Sequence, residues 1–228
     1  MIRAVTIDAL GTLVHMQPPG PQLREQLRER AGVEVSEEQA TAGFAAEIRY
    51  YLEHHLEGAD PESLAGLRER CAEVLRGTLG IEDVELSVVR EAMLAALHFE
   101  AFPDAAPALE ALRAGGLRVV AASNWDSSLP QVLERTGLGS LLDGVVSSAA
   151  AGAAKPDARL FHAALELAGV APEAAVHIGD RPENDVDGAR ALGMRAVLIA
   201  RDGVPPPVPD GVPVIATLAE LPPLVLDR

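Results

Sequence analysis

The sequence predicts a doubly wound parallel α/β sheet with a helical domain inserted after its first strand. Three observations carry that expectation. Short aliphatic runs without polar alternation recur at residues 3–7, 117–122, 144–147, 175–178, 195–199 and 212–215. Such runs suit parallel strands covered on both faces. From residue 101 onward they alternate with helix-period segments, the pattern of right-handed strand–helix–strand units. Between residues 14 and 99 that alternation stops, and only helical patterns remain.

Taken in order, the first run ends on Ile7 and hands over to Asp8-Ala9-Leu10-Gly11-Thr12. Residues 22–31 then carry a helical period. Ser36-Glu37-Glu38-Gln39 is a capping box that opens a helix reaching about residue 56. Asp60-Pro61 is an N-cap followed by proline at the first helical position, starting a helix to about residue 77. Residues 86–97 supply one more helix, and no strand is expected within the insertion. The expected division is residues 1–14 with 100–228 as the sheet domain, and 15–99 as the helical one. Further helices are expected at 104–114, closed by Gly115-Gly116, at 130–136, at 157–168 before Gly169, and at 185–192 before Gly193. The proline-rich run 204–213 reads as a surface loop ahead of the last strand.

Composition narrows the function. Of the 228 residues 48% are apolar but only 3% are aromatic, so the core is expected to be aliphatic. A formal net charge of −15 repels phosphate backbones and anionic lipid, which argues against nucleic-acid and membrane-surface roles. Cys71 is the only cysteine, excluding an internal disulfide and any multi-cysteine zinc site. The chain shows neither a signal-peptide pattern nor a long apolar run, and a cytoplasmic monomer or homodimer is expected. Of 19 basic residues, 18 are arginine and one is Lys155. Either Lys155 is a chance survivor of an arginine-rich composition, or its site needs a compact ammonium instead of a planar fork.

In a doubly wound sheet, ligands bind at the carboxyl ends of the strands. The first predicted strand delivers Asp8 to that edge, and the second delivers Ser123-Asn124. Lys155 lies in the loop after the third, and the fourth delivers Gly179-Asp180 with Asp185 five residues on. Three carboxylates, a hydroxyl and one ammonium would thus share one edge. A carboxylate just after a buried strand is costly unless it is paired or holds a metal.

DALGT, ASNWD, KPD and IGDRPENDVDGA, in that order, resemble the four motifs of the haloacid dehalogenase-like hydrolase superfamily. The resemblance implies a Rossmann-like core and a helical cap. It implies that Asp8 is a nucleophile forming a covalent aspartyl intermediate. Thr12, Ser123 and Asn124 would contact the transferring group, with Gly11 beside it. Lys155 would neutralise the nucleophile and the substrate anion. Mg²⁺ would be held by Asp8, the Leu10 backbone carbonyl and Asp180, with Asp185 as a further ligand through water or as an orienting group. The substrate would be a small anionic metabolite.

Leu10 departs from the pattern. Phosphatases of the superfamily carry aspartate there, as the general acid–base. Three readings compete: a Mg²⁺-dependent phosphohydrolase favouring good leaving groups, a metal-independent 2-haloacid dehalogenase, or a binding protein without turnover. Phosphonate cleavage through a Schiff base needs a cap lysine, and the only lysine is Lys155. The retained Asp180 and Asp185 favour the first reading, because a bare carboxylate beside Asp8 repels an anionic haloacid.

Substrate contacts are expected from Arg49, Trp125 and Arg181. Arg49 resembles a cap arginine that meets a substrate carboxylate. Tyr50, Tyr51, His54 and His55 share its segment, and His15 comes just after the first motif. Trp125 either walls the pocket or packs. His177, inside a predicted strand, reads as a core histidine, and Cys71 as packing.

Overall fold

A computed structural model describes residues 1–201, 203 and 207–226. It divides into two compact units, Met1–His15 with Glu100–Arg228, and Met16–Phe99.

The larger unit is built on a six-stranded sheet. Its strands are β1 (Ala4–Ile7), β4 (Arg118–Ser123), β5 (Gly144–Ser147), β6 (Ala175–Gly179), β7 (Arg195–Ile199) and β8 (Val214–Ile215). Their order is β5-β4-β1-β6-β7-β8, every pair parallel. The chain winds outward from β1 to β5, then crosses back to β6 on the other side of β1. That reversal makes β1 the switch point, where a doubly wound sheet opens a crevice at its carboxyl edge. All of β1 and β6 is buried, which explains why their sequences lack polar alternation. The helices α5 (Ala105–Ala114), α6 (Leu129–Arg135), α7 (Ser148–Ala151), α8 (Ala158–Ala168), α9 (Gly188–Ala191) and α10 (Leu221–Leu226) belong to the same unit. Leu160 and Ala164 of α8 pack on Ala4, Val120 and Ala122 of the sheet.

The smaller unit holds α1 (Pro19–Ala31), α2 (Glu37–His54), α3 (Pro61–Leu79) and α4 (Leu86–Ala96). Ser36 and Asp60 both close capping boxes at the starts of α2 and α3. Leu23, Leu27, Phe44, Leu67, Leu75 and Met93 form its core. Gly80, in the left-handed conformation, ends α3, so Gly77 lies inside the helix instead of stopping it.

Several expectations need correction. Two three-residue strands, β2 (Val14–Met16) and β3 (Phe99–Ala101), pair with each other where the chain passes between the units. Three residues are too few to register a period in sequence. The last strand is only Val214–Ile215, because Pro213 brings no N–H to a ladder. The run 185–192 is not one helix: Pro182–Asp187 makes a wide π-type turn before α9. Of the proline-rich run, residues 207–213 are irregular and 204–206 lie outside the described residues. Among the described residues, no helix is long and apolar enough to cross a membrane.

One buried charge in the helical unit has a measurable consequence. Glu47 of α2 is only 4% exposed, and burial raises its carboxyl above the ordinary value, with the Cys71 side chain bonding it in opposition. A carboxyl raised in the folded state stabilises fully below its unfolded pKa, and that contribution is lost as pH rises through the folded value. Glu47→Gln is therefore expected to raise Tm by about 2–4 °C at pH 7.5. Near pH 4.5 the difference should vanish. A thermal melt at both pH values checks this, and an unchanged or lowered Tm at pH 7.5 contradicts it.

Candidate active site

Register sets the site. Ile7 pairs with Ala121 on one side and Ile178 on the other, so the chain leaves β1, β4 and β6 at one edge. Asp8 comes immediately after, its N–H donating to the Ile178 carbonyl at 2.9 Å. Lys155 enters from the loop between α7 and α8. Its N–H donates to Asn124 Oδ1 at 2.7 Å, and Asn124 Nδ2 donates back to its carbonyl at 3.1 Å. Asn124 thus places the lysine backbone with one N–H and one lone pair of its amide.

The Lys155 ammonium, 2% exposed, donates to Asp8 Oδ1 at 2.6 Å, Asp185 Oδ1 at 2.6 Å and the Ala122 carbonyl at 3.0 Å. Three N–H groups meet three acceptors, which a compact ammonium allows and a guanidinium fork does not. Asp185 is also engaged by His177 Nε2, 3.1 Å from Oδ1, and by the Arg181 backbone N–H, which donates to Oδ2 at 2.9 Å. The wide turn at Pro182–Asp187 brings this carboxylate back beneath β6. A Cβ on Gly179 would lie 2.2 Å from Asp185 Cγ, so only glycine fits there.

Asp180 completes the cluster. Asp8, Asp180 and Asp185 each present an oxygen, and these lie within 4.8 Å of one another. Gly11 makes the approach possible: its φ of +80° favours glycine, and a Cβ there would stand 2.5 Å from Asp180 Oδ2. Gly11 therefore admits Asp180, a role distinct from the substrate contact expected for it.

Charge is unbalanced here. Burial, the largest influence, pushes the Asp8 carboxyl up to about 6; Lys155 opposes the rise, and Asp185 and Asp180 add to it. Burial and Asp185 likewise raise Asp180. Burial would also raise Asp185, but Lys155 and His177 outweigh it and hold that carboxyl well below the usual range. Three carboxylates thus face one buried ammonium. The excess negative charge and the oxygen-only donor set suit a hard divalent cation such as Mg²⁺.

The remaining candidates fall in different places. Thr12 is fully buried, and its Oγ1 has no hydrogen-bond partner. Ser123 is buried at the carboxyl end of β4. Leu10 is 44% exposed. Arg181 extends its side chain outward, with Nε 3.6 Å from Asp180 Oδ2. Trp125 is buried, its indole N–H donating to Ser128 Oγ at 3.3 Å. Arg49 is exposed on α2 in the helical unit. His177 is not merely a core histidine, since it contacts Asp185 directly.

A chain with these four motifs and this sheet matches the family description haloacid dehalogenase-like hydrolase over residues 2–193. The chain belongs to that family. The human haloacid dehalogenase-like hydrolase domain-containing protein 3 is 30% identical over 96% of this chain and 92% of its own length. Its bovine counterpart is 45% identical over 106 residues, a match spanning 46% of this chain and only 42% of that protein. Glyceraldehyde 3-phosphate phosphatase of Methanopyrus kandleri is 29% identical over 88% of this chain and 85% of its own. Among solved structures, the 2-haloacid dehalogenase of Pseudomonas syringae pv. Tomato DC3000 superposes with a TM-score of 0.72 at 26% identity, covering 100% and 99% of the two chains. This family member thus resembles both phosphatases and dehalogenases.

Two further groups at the site carried no sequence signal. Thr6, inside β1, has its Oγ1 2.8 Å from His177 Nδ1. Arg201 donates to the Thr12 carbonyl at 2.6 Å and pairs in two places with Asp104, while lying 3.6 Å over the Phe102 ring. It straps the loop after Asp8 from 189 residues away in sequence.

Proposed function

We propose that this protein is a Mg²⁺-dependent phosphohydrolase acting on a small phosphorylated metabolite with a good leaving group, such as an acyl or aryl phosphate. The observation that carries the reading is Asp180, a third carboxylate within 4.8 Å of Asp8 and Asp185, with Lys155 the one ammonium among them. Without a divalent cation such a cluster repels the anions it would have to bind.

Asp8 and Asp180, with the Leu10 carbonyl, would hold the metal, and Asp185, whose Oδ1 already meets Lys155 and His177, would reach it through water or orient the site. Bound Mg²⁺ would screen the charge of an entering phosphate. Asp8 attacks phosphorus, the bond from phosphorus to the leaving oxygen breaks, and the leaving group departs as its anion. Water then cleaves the aspartyl-phosphate, releasing inorganic phosphate and restoring Asp8. Lys155 keeps the nucleophile ionised and in place. Ser123 and Thr12 offer hydroxyls to the phosphoryl oxygens, and the unpartnered Thr12 Oγ1 supports that assignment. Arg181, with Nε 3.6 Å from Asp180 Oδ2, would meet another anionic part of the substrate. A cytoplasmic metabolite suits this chemistry.

A second reading, 2-haloacid dehalogenation, draws support from Leu10, since a halide leaves without a proton. The deciding experiment is phosphate release from p-nitrophenyl phosphate and acetyl phosphate with Mg²⁺ and with EDTA, against an Asp8→Asn blank. Turnover with Mg²⁺, lost in EDTA and restored by added Mg²⁺, is expected. Silence on phosphates with chloride release from 2-chloropropionate in EDTA would replace this reading with the second.

A further inference from the structure

Beyond the cluster around Asp8, a second line of buried polar groups runs through the sheet. Thr6 of β1 and His177 of β6 sit opposite each other in register, and Thr6 Oγ1 lies 2.8 Å from His177 Nδ1. The other ring nitrogen, Nε2, lies 3.1 Å from Asp185 Oδ1, the same oxygen that receives Lys155. Both residues are fully buried, and the edge of Phe161 closes on the imidazole at 5.0 Å. Nothing in the hydrolytic chemistry needs a histidine there, and an aliphatic side chain would suit a strand interior better.

We propose that His177 is a positioning residue that fixes Lys155 through Asp185. The partners determine the hydrogen positions. An ionised carboxylate only accepts, so His177 Nε2 must carry the hydrogen and donate it to Asp185. Burial disfavours the imidazolium, leaving Nδ1 as an acceptor for the Thr6 hydroxyl. Asp185 then has fixed N–H donors from His177 and Arg181, and the Oδ1 lone pair that remains points to the ammonium. Without the His177 donor that carboxylate gains rotational freedom, and Lys155 loses the anchor that holds it against Asp8. A third partner of this kind typically changes activity by about 10–100-fold when it is removed.

Lys155 is the only lysine, so labelling with ¹⁵N-lysine reports one side-chain ammonium. In the metal-free wild type at neutral pH we expect a sharp, exchange-protected ammonium N–H correlation. His177→Gln, whose amide can still donate to Asp185, should keep it; His177→Leu should broaden or lose it. An identical signal in all three proteins overturns the proposal. So does a long-range ¹H–¹⁵N spectrum of the wild type that finds the hydrogen of His177 on Nδ1, a result that does not depend on any variant folding. The kinetic arm rests on the phosphohydrolase reading: His177→Leu should lower kcat about 10–100-fold with KM within about threefold, and His177→Gln should recover most of it. Equal losses in both variants contradict positioning through the Nε2 donor. Should the wild type hydrolyse no phosphate, that reading fails while the two spectroscopic arms still decide the role of His177.

Discussion

Leu10→Asp is expected to accelerate hydrolysis of alkyl phosphates by about 10²–10⁴-fold, while changing p-nitrophenyl phosphate hydrolysis less than about tenfold. The contrast comes from the leaving group. An alkoxide is too basic to depart unprotonated, so a carboxylic acid beside the leaving oxygen removes a barrier that leucine leaves in place. A nitrophenolate departs as an anion, and an acid there adds little. Two features make the substitution informative. Leu10 is 44% exposed, so replacing it costs little packing. The new carboxyl also joins a loop already close to Asp180 and Asp8, and their charge raises its pKa toward the protonated form an acid needs. Rates for β-glycerophosphate and p-nitrophenyl phosphate, compared in wild type and variant, check the prediction. Equal acceleration of both substrates, or none of either, would mean that Leu10 does not occupy the general-acid position.

That Asp8 and Asp180 come together was legible in the sequence because chain direction decides the matter. A parallel sheet delivers the residue after each strand to one edge, so Asp8, Ser123 and Asp180 were legible from the strand runs alone. Lys155 was legible for a different reason, as the single lysine among 18 arginines. The features that stayed hidden depended on side-chain direction or distant pairing. Asn124 lies just past a strand like the others, yet its amide turns to the Lys155 backbone, 31 residues away. A period of two assigns His177 to a sheet face but cannot show that its Nε2 reaches Asp185. Asp185 itself sits in a wide turn, and the apolar spacing around it reads as an ordinary helix. Nothing in the spacing of Gly11 and Gly179 shows that each clears the space for one carboxylate. Arg201 and Asp104 are remote in sequence and carry no spacing at all.

Lys155→Met should be the most damaging single change, for stability and for catalysis together. The ammonium now satisfies Asp8, Asp185 and the Ala122 carbonyl, all three buried. Methionine matches its length and flexibility, so lost packing contributes little. The variant is left with two carboxylates shut away from water and no cation between them. Breaking a buried ion pair from one side typically costs about 3–5 kcal/mol. The pH dependence has a defined sign. Without Lys155, burial and the mutual repulsion of Asp8 and Asp185 raise both carboxyl groups, and raised carboxyls destabilise as pH climbs through their folded values. The deficit relative to wild type should therefore grow between pH 5 and pH 8. Urea unfolding at those two pH values measures it, and a deficit below about 1 kcal/mol that does not change with pH would show that the ammonium is not what keeps these carboxylates buried. On the proposed reading, catalysis should fall by at least about 10²–10³-fold, because a fixed positive group beside Asp8 is gone. Lys155→Arg separates charge from shape: it keeps the cation but cannot direct three N–H groups to three acceptors from one nitrogen. It is expected to regain part of the stability and little of the rate, and a Lys155→Arg enzyme as fast as wild type would show that the site needs only a positive charge there.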